Sequence, residues 1–194
     1  MTVVGFDTSS RGRVVAVAAT TEGVLLRGRA EVGVQVHAAL PPLLAEVVDT
    51  HLDAVVAVTG PGSYTGLRAG LAAAAGLAQS RGVPIYGVGA LDVLAGAVDP
   101  DGGPMWVASD AGRGAVYAAP CGWVGGRLAC GRARRMTLAE LSEAARGARV
   151  ASADDIRLDG LLVVDPVGAL AACVARAVAT RPLDLTSLAA TYVH

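Results

Sequence analysis

Lysine is absent from this chain, whose sixteen basic residues are all arginine. Schiff-base chemistry and a phosphate-cradling P-loop, which needs Lys after its second glycine, are thereby excluded. Cysteine is scarce: Cys121, Cys130 and Cys173 are odd in number and form no CxxC pair. That usage predicts reduced thiols rather than a disulfide framework or a zinc site. His37, His51 and His194 are the only histidines, and no two are spaced to share a metal. A net charge of −1 provides no global field for nucleic acid, so an RNA contact must come from a local patch or a partner. No apolar run reaches the ~20 residues of a membrane span. No charged-then-apolar leader precedes the first strand, and a cytoplasmic location is expected.

What is present centres on residues 55–80, VVAVTGPGSYTGLRAGLAAAAGLAQS. Val55–Thr59 is apolar on both alternations, the pattern of a strand covered on both faces. Gly60-Pro61-Gly62-Ser63 ends it, and Ser63 or Thr65 can cap a helix running to Ser80–Gly82. Gly66, Gly70 and Gly76 each cost about 1 kcal/mol relative to Ala inside that helix, so packing outside it must offset about 3 kcal/mol. Gly66, Gly70, Ala73, Ala74 and Leu77 form one stripe with little side chain, suited to this chain's own sheet or to a partner. A catalytic nucleophile elbow is excluded, because Pro61 stands where it needs glycine.

The segment GPGSYTGLRAGLAAAAGLA resembles the signature of the TsaB (YeaZ-like) family, shortened relatives of the TsaD/Kae-type proteins in bacterial tRNA threonylcarbamoyladenosine synthesis. Residues 4–9 (VGFDTS), His37 before a leucine-rich helix, residues 84–88 (PIYGV), 109–111 (SDA) and Val116-Tyr117 extend the resemblance over most of the chain. It implies an α/β, actin-like (ribonuclease H-like) fold of two halves with mixed sheets flanked by helices. Family members often continue past the position of Tyr192.

Three strands with short turns (Thr2–Phe6, Arg13–Ala19, Val24–Val32) predict an antiparallel meander. A helix over His37–Thr50 comes next, with Pro41 and Pro42 inside it. Propensity starts that helix at Pro41; the resemblance implies a start near His37. Strand Val55–Thr59, helix Thr65–Ser80, strand Val83–Val88 and helix Leu91–Val98 complete a first half over residues 1–100. Pro100–Pro104 reads as the linker. The second half, 101–180, is expected to hold strands Met105–Ser109, Ala115–Pro120, Arg127–Arg132, Val150–Ala153 and Leu161–Val164. Its helices are one opened by the capping box Thr137–Glu140 and one capped by Asp165-Pro166. Tail 181–194 could complete the first half.

By the resemblance, Asp7-Thr8-Ser9 and Asp110 occupy turns that contact nucleotide phosphates in the superfold; self-satisfied hairpin turns are the alternative. The adenosine pocket there needs a Gly-Gly turn, but Val163-Val164 is followed by Asp165-Pro166, and Gly125-Gly126 lies in a hairpin. Catalytic relatives carry two metal-binding histidines four apart, at positions held here by Ala90 and Leu94, which cannot ligate. The resemblance therefore implies a non-catalytic subunit with no cofactor or metal of its own, ATP, magnesium and metal belonging to partners. Those partners are a TsaD-type catalytic paralogue, a TsaE-type ATPase and, indirectly, tRNA, with a homodimer when the chain is free. The expected interface is Leu40, Leu43, Leu44 and Val47 on one helix with Gly66, Gly70, Ala73, Ala74 and Leu77 on the other. Alternatives are a stand-alone nucleotide-dependent transferase or hydrolase using Asp7 and Asp110, and a metallopeptidase. Arg132, Arg134 and Arg135 form a basic cluster, read as flanked by no stacking aromatic: a solvated face or a phosphate contact.

Overall fold

The computed structural model describes residues 1–49, 51–98, 103–184 and 188–193. Strands β1 (Thr2–Asp7), β2 (Arg13–Thr20) and β3 (Leu25–Val32) pair antiparallel in the predicted meander. Helix α1 (Val36–Val47), strand β4 (Ala54–Gly60), helix α2 (Tyr64–Arg81), strand β5 (Ile85–Gly89) and helix α3 (Ala90–Ala95) follow. β4 lies parallel to β1 and β5 parallel to β4, giving the order β3-β2-β1-β4-β5. Helix α1 runs through Pro41 and Pro42, so the early start is the one adopted. Both prolines are exposed while Ala39, Leu40, Leu43 and Val47 are buried. Burial of that face outweighs two missing amide donors. Thr50, Asp99 and residues 100–102 of the expected linker lie outside the described residues.

The second half repeats the order. Strands β6 (Met105–Gly112), β7 (Ala115–Val124) and β8 (Arg127–Cys130) run antiparallel, and β10 (Arg149–Ser152) and β11 (Leu161–Val163) lie parallel to β6. The sheet reads β11-β10-β6-β7-β8. Strand β9 (Arg134–Thr137) pairs with Ala115–Ala118 at the start of β7. The single strand expected over Arg127–Arg132 is thus replaced by β8 and β9, which share the long edge of β7. Helix α4 (Leu138–Ala144) opens with the expected capping box, and α5 (Pro166–Val178) is capped by Asp165.

Helices α1 and α2 cover one face of the first sheet, α4 covers the outer face of the second, and α3 and α5 lie between the sheets. Helix α5 packs on β1, β2 and β3 although it belongs in sequence to the second half. Leu183, Leu188 and Ala190 pack against the core beneath α1 and α2, and the Leu183 and Thr191 amides donate to the Ile85 and Thr59 carbonyls. Among the described residues no helix is long and apolar enough to cross a membrane.

One expectation is corrected. Cys121 and Cys130 face each other across the β7–β8 hairpin and form a disulfide, with Cα atoms 4.1 Å apart. Hairpin register brings them together, which a search for CxxC spacing does not detect. Cys173 is a free thiol whose burial pushes its pKa up to about 11.

Candidate functional site

The turn after β1 is buried beneath the start of α2. Asp7, Thr8 and Ser9 are all nearly inaccessible. An Asp7 carboxylate oxygen accepts the Ser9 amide at 2.8 Å, and the Thr8 hydroxyl donates to the Gly66 carbonyl at 2.8 Å. Ser63 caps α2 by accepting the Gly66 amide, while its own amide donates to the Ser9 carbonyl at 2.7 Å. Side chains are excluded from this contact: a Cβ on Gly66 would lie 2.1 Å from the Thr8 carbonyl oxygen, and one on Gly70 would lie 2.1 Å from Thr8 Oγ1. Gly60, at φ 115°, must also be glycine, since a Cβ there would meet the Thr191 carbonyl at 2.5 Å.

The turn at Asp110 in the second half is built on a similar local bond, Asp110 Oδ1 accepting the Gly112 amide at 2.9 Å. The two turns are joined by Asp154, a residue the sequence reading did not single out. Its carboxylate accepts the Asp110 amide at 2.8 Å and the Ser10 hydroxyl at 3.1 Å, and it forms an ion pair with Arg13. Both partners of that pair are buried, at 7% and 8% exposure, and Arg13 also donates to the Ala153 carbonyl. A clue existed in Ser152, Asp154 and Asp155 at the end of a strand, but pairing across 141 residues leaves no local pattern. The cavity beside this cluster, lined in part by Ser10, Arg13, Asp110 and Asp154, measures about 220 Å³. That is below the ~300 Å³ at which small-molecule sites begin.

The interface residues expected on the two helices divide. Leu40, Leu43, Val47, Gly66, Gly70 and Ala74 are buried in this chain's own core, and Leu44, Ala73 and Leu77 are half-buried. The inner face of α2, Gly66-Gly70-Ala74-Ala78, therefore meets the chain's own first half. A second small-residue face points outward: Ala72 and Gly76 are exposed, Ala69 and Ala73 flank them, and a Cβ on Gly76 would meet nothing within 4 Å. On α1 the exposed residues include His37, Pro41, Pro42 and Ala45.

Ala90 and Leu94 are buried on α3. Asp165 accepts the Val167 and Gly168 amides at the start of α5, and Gly125 and Gly126 turn the β7–β8 hairpin at positive φ. Arg132, Arg134 and Arg135 prove to have aromatic neighbours: Arg134 lies over the Trp106 ring at 5.6 Å, and Tyr192 lines the same cavity as all three. The sequence reading missed this because 57 residues separate Tyr192 from Arg135.

The family model for TsaD, tRNA N6-adenosine threonylcarbamoyltransferase, matches residues 39–144, more than half of the chain. An uncharacterised protein of Mycobacterium tuberculosis is 38% identical over 123 residues, covering 60% of this chain and 57% of that relative. One from Mycobacterium leprae is 42% identical over 73 residues, 38% of this chain and 20% of that protein. The chain thus matches little more than half the length of the first of these curated relatives. YeaZ from Pseudomonas aeruginosa superposes with a TM-score of 0.77 at 22% identity, over 99% of both chains. A second structure, an uncharacterised protein with similarity to peptidase YeaZ from Pseudomonas aeruginosa, superposes with a TM-score of 0.74 at 21% identity, over 100% of this chain and 99% of that one. The chain belongs to the TsaD family, tRNA N6-adenosine threonylcarbamoyltransferase, and folds as YeaZ does.

Proposed function

We propose that this chain is a non-catalytic, cytoplasmic subunit of a tRNA threonylcarbamoyltransferase, acting by pairing with a TsaD-type catalytic paralogue. The observation that carries the reading is the start of α3. There the resemblance to the TsaB family sets Ala90 and Leu94, both buried, against the two metal-binding histidines of the catalytic relatives. Asp7 and Asp110 support it, since both are engaged in local turn bonds, and the cavity at their junction is small. The partner would transfer threonylcarbamoyl from its adenylate to the adenosine next to the anticodon, with a TsaE-type ATPase completing the assembly.

Pairing would use the outward faces of α1 and α2. Gly76 supports that assignment: it costs about 1 kcal/mol relative to Ala in a helix interior, and among the described residues nothing touches its Cβ position. A partner helix packed closely over Ala72 and Gly76 would account for glycine there. The same faces could join two free copies.

A modification assay with purified components tests the reading. The catalytic paralogue with its ATPase should show little transfer to tRNA until this chain is added, and this chain alone should show none. Transfer by this chain alone, or calorimetric binding of Mg-ATP by it that is lost in Asp7→Asn and Asp110→Asn, would favour the stand-alone enzyme instead.

A further inference from the structure

Arg132, Arg134 and Arg135 line a cavity of about 540 Å³ whose remaining wall is Ala133, Thr191, Tyr192 and Val193. Among the described residues no acidic residue lines it. Among the described residues none of these arginines is in a salt bridge; Arg135 donates to the Gly112 carbonyl at 3.4 Å, and Arg134 lies over Trp106. Glu140 is committed to capping α4 at Thr137. Among the described residues the lining of this hollow thus carries three arginines and no carboxylate, in a molecule whose net charge is −1. A bound polyanion would relieve their mutual repulsion.

The aromatic side is independent of the arginines. The Tyr192 ring lies 5.4 Å from the ring of Tyr64, at the first residue of α2, and the guanidinium of Arg68 sits 5.2 Å from the Tyr64 centroid. Tyr64 and Tyr192 remain 58% and 40% exposed, although burial of such rings is favourable. The result is an aromatic pair backed by a fourth arginine and adjoining a hollow lined by three. Arginines for phosphates beside π-faces for bases are the elements of single-strand recognition.

We propose that this patch binds a single-stranded segment of RNA directly. Arg132, Arg134 and Arg135 contact successive phosphates, and an unstacked base rests on the Tyr64–Tyr192 platform. This deepens the function proposed above by giving the chain its own contact with RNA. The test uses the isolated chain, so its failure would leave the pairing reading untouched.

Fluorescence anisotropy with a labelled single-stranded RNA of about 12 nucleotides, within the usual site sizes, measures the binding. Inorganic polyphosphate and AMP are the comparison ligands. Three phosphate contacts predict that log K falls with log salt at a slope of about −2. Arg132→Ala with Arg135→Ala should lower affinity at least tenfold and flatten the slope by about 1.4. Tyr192→Leu should weaken RNA about tenfold while leaving polyphosphate unchanged. Tyr64→Leu repeats that test away from the C-terminal segment, and thermal unfolding checks that each variant is folded. The proposal is overturned by RNA binding that is absent or indifferent to the arginines. It is equally overturned by polyphosphate binding as tightly as RNA with no effect of either tyrosine, or by AMP binding as tightly as the strand.

Discussion

The two halves of the molecule share a strand order but secure the turn after their first strand in different ways. In the first half, the turn at Asp7-Thr8-Ser9 is sealed by backbone contact with α2, made possible by Gly66 and Gly70. In the second, β10 and β11 are joined by residues 153–160 with no helix between them, and no counterpart of α2 covers the turn at Asp110. A single carboxylate takes that place: Asp154 reaches the Asp110 amide and ties it to Ser10 and Arg13 of the first half. One turn is closed by packing and the other by a buried ion pair. The nearly inaccessible first turn adjoins the helix with the outward small-residue face, while the second belongs to the half that carries the arginine–tyrosine hollow.

Breaking the second seal should have the largest effect. Asp154→Ala leaves the Arg13 guanidinium buried without its partner, and the loss of stability should be about 3–5 kcal/mol by urea unfolding. Breaking the first by Gly70→Leu places a side chain against Thr8. Overpacking of this kind costs about 1–3 kcal/mol, sometimes more, and should show as a lowered unfolding midpoint. The same variant is therefore unsuitable as an interface probe, because it disturbs the fold before any partner arrives. In the second half, Thr137→Ala removes the hydroxyl arm of the α4 capping box and leaves its backbone amide bond to Glu140; it should lower stability by about 1 kcal/mol. On the outward face of α2 the sign reverses: Gly76→Ala meets no atom and should stabilise the free chain by up to about 1 kcal/mol. The smallest expected effect is at Cys173 between the sheets. With its pKa raised to about 11, its contribution is fully present below the ordinary thiol value of 9.0 and is lost as pH rises through about 11. Neutral iodoacetamide should leave it unmodified in the folded chain and alkylate it after unfolding.

The first half was largely legible because its signals are local. The β-branched run Val55–Thr59, the Ser63 cap and the cost of three helical glycines lie within one segment, and they predict a strand, a turn and a closely packed helix. Which surface each glycine meets was not legible. Gly66, Ala69, Gly70, Ala72, Ala73, Ala74 and Gly76 surround α2 with small residues, so the pattern has little direction. The structure divides them, with Gly70 against Thr8 and Gly76 facing outward. In the second half the missed features depend on register between distant segments. Strand β9 exists because β7 has room for two short partners, Cys121 meets Cys130 across a hairpin, and Asp154 meets Arg13 from 141 residues away. The arginine cluster was read correctly as basic but misread as lacking aromatics, because its neighbour Tyr192 arrives on the C-terminal segment, held by the Thr191 amide bond to Thr59.

The central claim is tested most directly by size-exclusion chromatography with light scattering on this chain, on a TsaD-type protein from the same cell, and on their mixture. A stable one-to-one species is expected, lost when Gly76 is replaced by Arg, a variant that should itself remain folded. Two separate peaks at micromolar concentrations, or a complex indifferent to Gly76→Arg, would contradict it.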